Sequence, residues 1–262
     1  MTTVLALAAG LIAVVAAARS TWSPCGLSML SSITPLAEQG RGHRYRTTAA
    51  WFVLGSLVGG ASLGLLLAAA AVGASAVAAS STSLAIVAVA ACLVTVAADA
   101  HVGGFHLPIH RRQVNERWLD QFRPWVYGAG FGWQIGTGVA TYVKTCAVYL
   151  MIVLAVLTGN PTIAILVGVA FGLVRGLAVF LGRHITSAAA LAEFHRRLVA
   201  AEPVARVATT ACEAAVALTF CAIVSPWLAA AVGAAGLAAL IRSRSRTPRR
   251  PVARLRIRQP AP

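Results

Sequence analysis

Residues 51–72 read WFVLGSLVGGASLGLLLAAAAV, a run of 22 positions without a charged side chain. As a helix it would measure about 33 Å at 1.5 Å per residue, enough to cross the hydrocarbon core of a bilayer. Its glycines Gly55, Gly59, Gly60 and Gly64 include pairs four apart, which share a helix face and let a second helix approach closely. Comparable apolar runs recur on both sides, at about 4–36, 82–100, 126–157, 162–182 and 207–241. Of the 262 residues, 58% are hydrophobic and 11% charged, proportions foreign to a soluble domain. The expected fold is an all-α integral membrane protein, a polytopic helical bundle of six to seven transmembrane helices over residues 1–241.

The net charge of +15 does not call for a nucleic-acid partner, because the charge is confined to the ends of apolar runs. GRGHRYR (40–46), HRRQVNER (110–117), residues 183–197 and the tail 242–262 carry most of it. Under the positive-inside rule these segments are cytoplasmic, and membrane lipid is the expected partner. The chain then crosses the plasma membrane repeatedly, N-terminus outside and basic tail inside. The first twenty residues imitate a signal peptide, but they lack a basic leading segment and run past Arg19 into further apolar sequence. They are read as part of a retained span, 4–36. Residues 207–241 would extend about 52 Å as one helix, and Pro226 near the middle marks two short spans with an outer turn. Between spans, NERWLDQFRPW (115–125) reads as a short interfacial helix.

A weak internal symmetry runs through the spans. Gly168, Gly172 and Gly176 repeat in the fifth span the glycine spacing of the second. Each glycine-rich span follows one that bears a cysteine, Cys25 in the first and Cys146 in the fourth. Three spans separate those two, which matches inverted three-helix repeats at 4–100 and 126–224 with a site near the midplane.

Candidate site residues follow from what is costly at membrane depth. Pro24 removes a backbone hydrogen bond inside the first span and stands next to Cys25, so the pair marks a kink, a solute path or a redox site. Lys144 lies near the middle of the fourth span, while Arg175 and Glu213 sit at matching depths and are expected to pair. On a regular helix Lys144 and Cys146 would point about 200° apart, so the lysine would not activate the thiol. GAGFGWQIGTG (128–138) supplies Gly132, Gly136 and Gly138, a density that suits close packing or local unwinding. His101, His106 and His110 read as loop histidines, with Pro108 between the last two. No metal and no cofactor is expected, and no P-loop, GxSxG or HExxH motif occurs.

The SPC of SPCGLSML (23–30), the glycine-rich second span and the single cysteine three spans later resemble the CcdA and DsbD family of membrane thiol–disulfide reductases. GAGFGW (128–133) is similar to that family's lead into its fourth span. The resemblance implies two inverted three-helix repeats, with Cys25 and Cys146 as an exchanging catalytic pair beside Ser23 and Pro24. It also implies a cytosolic thioredoxin-like donor, an extracytoplasmic thiol protein as acceptor, and a role like that in cytochrome c biogenesis. The sequence departs from the family in lacking proline directly after Cys25 and beside Cys146. Small-solute or ion transport of the LysE kind, through Lys144, Arg175 and the broken backbone, is the alternative. A scaffold subunit without redox chemistry is the third.

Overall fold

The computed structural model describes residues 1–76, 80–107 and 118–245, and among these no strand occurs. The first apolar run is divided into α1 (Thr2–Arg19) and α2 (Pro24–Ser32), followed by α3 (Pro35–Gly40). α4 (Tyr45–Ala76) and α5 (Ser81–Asp99) are uninterrupted, close to the expected second and third spans. α6 (Trp118–Gln121) covers part of the expected interfacial helix; residues 108–117, including His110, lie outside the described ones. The fourth run is again divided, into α7 (Pro124–Gly136) and α8 (Ala147–Leu157). α9 (Pro161–Leu177) continues through a 3-10 turn at Ala178–Gly182, and α10 (Ala188–Val224) and α11 (Pro226–Ser245) follow. Among the described residues, five stretches are long and apolar enough to cross a membrane: Thr2–Trp22, α4, α5, Pro161–Gly182 and α10. The chain is a polytopic helical membrane protein.

The breaks have local causes. After a 3-10 turn at Ser20–Trp22, Ser23 is extended, and its Oγ accepts the Gly26 N–H at 3.1 Å as the cap of α2. Pro24 opens α2 at the position where a missing N–H costs nothing. The kink expected at Pro24 is thus a full helix stop and restart. α7 and α8 would be about 20 and 17 Å long, each too short to span a bilayer alone. Between them Gly138 turns with φ of 67°, a left-handed value that favours glycine. Ser225 is likewise extended before Pro226. This break falls where the outer turn was expected, and α11 restarts at Pro226. The helix α10 corrects the expected start at 207. It begins at Ala188, where Ser187 caps it, and Glu193 pairs with Arg196 and Arg197 along its polar first turns. α11 reaches Ser245, into the expected tail, and residues 246–262 lie outside the described ones.

Packing centres on α4, which lies between α7 and α9. A Cβ at Gly60 would stand 2.4 Å from the Gly168 carbonyl oxygen, and one at Gly132 only 2.1 Å from that of Phe52. Glycines on all three helices bring the backbones together, facing each other at Gly60 and Gly168 and meeting the Phe52 backbone at Gly132. Two apolar clusters result. One gathers α1, α8 and the second half of α4 around Ile12, Leu63, Leu154 and Phe220. The other gathers α2, α7 and the first half of α4 around Met29, Phe52, Phe131 and Ile135. Between them lies a layer of buried polar groups.

Candidate functional site

The polar layer forms where the helices break. α8 starts at Cys146, whose own side chain makes no capping bond. The acceptor comes from another span: Asp99, at the end of α5, takes the Cys146 backbone N–H on Oδ1 at 2.8 Å and the Thr145 hydroxyl on Oδ2. A carboxylate at a helix N-terminus satisfies orphan donors and complements the helix dipole. α5 thereby pins the restart of the broken fourth run.

A second carboxylate holds the break of the first run. Glu202 Oε1 accepts from Arg19 Nη2 at 2.6 Å and stands 3.9 Å from Lys144 Nζ. Arg19 is 5% exposed, and its guanidinium lies 5.9 Å from the centre of the Trp22 ring. The Trp22 indole N–H in turn donates to the Leu198 carbonyl at 2.7 Å. Glu202 thus ties α10 to the end of α1 and to the unwound segment before α8. Lys144 is not on a helix at all, so the helical geometry that separated it from Cys146 does not apply. Its partner is Glu202.

The expected ion pair between Arg175 and Glu213 is absent from the ion pairs of the described residues. Arg175 is 1% exposed with Nε and Nη1 lacking a hydrogen-bond partner, and both Glu213 oxygens lack one at 0% exposure. Matching depth did not make them a salt bridge: each is buried on its own helix, Arg175 on α9 and Glu213 on α10. The glycines act through the backbone. Gly132 and Gly136 press on the α4 backbone at Phe52 and Ser56, and Gly138 turns against the Phe171 ring.

A cavity of about 40 Å³ opens beside Asp99, lined also by His101, His106, Lys144, Cys146 and Tyr149. That volume suits a few water molecules or a small ion. The rings of His101 and His106 lie 4.7 Å apart, but no three of the described His, Cys, Asp or Glu side chains converge as metal ligands. Cys146 lines the cavity, whereas Cys25 packs in the second apolar cluster with Met29 and Phe52. No cysteine is in a disulfide.

Sequence reasoning passed over four residues that organise the structure: Arg19, Glu38, Asp99 and Glu202. Glu38 is fully buried and accepts from the Thr48 hydroxyl at 2.5 Å, the Tyr127 hydroxyl at 2.7 Å and Arg41 at 3.0 Å, joining α3, α4 and α7. A signal was available. The chain has only seven acidic residues, so each one close to an apolar run was a candidate for a buried contact.

No family model and no solved structure matches the chain. It is similar to the methylamine utilization protein MauF of Paracoccus denitrificans, 35% identical over 175 residues, covering 65% of this chain and 61% of that protein. MauF of Paracoccus versutus is 35% identical over 182 residues, covering 66% and 64%. MauF of Methylobacillus flagellatus is 28% identical over 209 residues, covering 75% and 69%. The chain spans less than two thirds of the length of the two Paracoccus relatives. These matches overturn the assignment to the CcdA and DsbD family, and with it thiol–disulfide exchange, its cytochrome c biogenesis role and the LysE-type transport alternative. The most specific motif behind that resemblance, SPC, here serves as a helix stop, cap and restart.

Proposed function

We propose that this chain is a membrane-embedded accessory protein of methylamine utilization. The observation that carries the reading is the 35% identity over 175 residues to MauF of Paracoccus denitrificans. An accessory role suits the chemistry of the polar layer. Asp99 and Glu202 are spent on holding broken helices. The arginine-rich segments at 40–46 and 183–197 support placement in the plasma membrane with those loops in the cytoplasm. Helix breaks in both the first and fourth runs, with α4 against α9, support two three-span units of opposite direction.

Complementation tests the reading. A Paracoccus denitrificans strain lacking MauF, its growth on methylamine measured first against the parent, receives this chain with a C-terminal tag. Growth on methylamine that returns with a membrane-inserted product is the expected result. A stably inserted protein that restores no growth, in that strain and in one lacking the Methylobacillus flagellatus homologue, refutes it.

A further inference from the structure

Where α4 and α7 begin, they leave an open groove of about 480 Å³ lined by Thr47, Trp51, Pro124 and Trp125. The two indole rings lie 6.1 Å apart and are 40% and 51% exposed, so the walls are aromatic and uncovered by the described residues. The helices run parallel here, since Gly128 meets the Thr48 carbonyl, Gly132 that of Phe52 and Gly136 that of Ser56 in step. Their first turns are therefore level.

An arginine stands at the head of each. The Arg44 carbonyl accepts the Thr47 N–H at 3.0 Å, and the Arg123 carbonyl accepts the Val126 N–H at 2.9 Å. Both arginines are exposed, and neither joins an ion pair among the described residues. Glu38, the nearby buried carboxylate, is already held by Arg41, Thr48 and Tyr127. Positive charge above an apolar, tryptophan-walled groove is complementary to one kind of molecule, an anionic head on a hydrocarbon chain.

We propose that this groove binds one anionic glycerophospholipid, with an acyl chain lying along the apolar surface that the contacting Trp51 and Trp125 rings form together and the phosphate against Arg44 and Arg123. Tryptophan at headgroup level alone would anchor the bundle without lipid preference. The paired arginines add the preference, and each basic residue near an anionic surface favours binding by a factor of roughly five.

Native mass spectrometry of the full chain in mild detergent, titrated with dioleoyl phosphatidylglycerol or dioleoyl phosphatidylcholine, reads this directly. One phosphatidylglycerol should be retained, with roughly thirtyfold preference over phosphatidylcholine, the product of two arginine contributions. R44Q/R123Q should remove the preference, and R44K/R123K should keep most of it. W51A/W125A should lower retention of both lipids. A 100-fold excess of sn-glycerol 3-phosphate should displace nothing. Circular dichroism of each variant verifies the fold, and single substitutions replace any pair that fails it. Equal retention of the two lipids, a preference unchanged in R44Q/R123Q, or displacement by glycerol phosphate would each overturn the proposal.

Discussion

Replacing Gly60 by alanine adds one methyl group at the closest approach of α4 and α9. That Cβ would lie 2.4 Å from the Gly168 oxygen and 2.8 Å from the Gly172 Cα, against an ordinary contact of at least 3.4 Å. Both obstacles are backbone, so no rotamer change relieves them. α9 must retreat by about 1 Å along the whole contact, or α4 must press into α7, where Gly55 and Gly59 are equally close to the Ala129 and Trp133 oxygens. Overpacking of this kind costs typically 1–3 kcal/mol, and with both flanks closed we expect about 3 kcal/mol. Gly73→Ala is the matched control on the same helix: nothing lies within 4 Å of its Cβ. Alanine there should be neutral or stabilise by up to about 1 kcal/mol through helix propensity. Fluorescence-detected size exclusion after heating would show Gly60→Ala melting on the order of 5–10 °C lower than the parent. Equal midpoints for Gly60→Ala and Gly73→Ala would refute the backbone-contact argument.

Asp99→Ala removes the acceptor for the start of α8 and should destabilise by about 1–2 kcal/mol, while Asp99→Asn keeps an oxygen for the Cys146 N–H and should cost less. Thermal midpoints in detergent would rank them. Glu202→Gln strands the buried Arg19 guanidinium and should lower stability by about 1–3 kcal/mol, with Lys144→Met milder because that contact is 3.9 Å and one third exposed. Steady-state abundance in membranes reads the order, and a reversed order would show that Lys144 holds Glu202 instead of Arg19. Tyr127→Phe deletes the hydroxyl that bonds Glu38 and should cost about 1–3 kcal/mol in urea or thermal unfolding, because a buried carboxylate loses a donor. The Cys25→Ala, Cys146→Ala double variant should support growth on methylamine as well as the parent in the complementation test; loss of growth in a normally inserted protein would restore a chemical role to those thiols.

Spans were legible in the sequence because hydropathy is additive along a helix: α4, α5 and α9 fall within a few residues of the expected limits. The glycine faces were legible for a related reason, since spacing alone fixes which residues share a side. Pairing was not. Arg175 and Glu213 have the right depth, but depth is one coordinate of three, and both are buried without an ion pair between them. Asp99 was overlooked because it lies at a span end, where a charge usually means solvent; here the end meets the start of α8. Cys25 and Cys146 attracted chemistry by residue type. Their positions are those of a packed side chain after a helix stop and of a helix N-cap.

The contacts of α4 also set a timetable. Gly60 and Gly172 are 112 residues apart, so at roughly 5–20 residues per second the second emerges from the ribosome roughly 6–22 s after the first. Throughout that interval the Gly60 and Gly64 side of α4 lacks its α9 partner, and another copy of α4 on a neighbouring nascent chain offers the same glycine spacing. Assembly is therefore a race between elongation and encounter in the membrane. Synonymous codons that slow translation between residues 77 and 160 would lengthen the wait and lower the yield of correctly built protein, with no change in its amino acids.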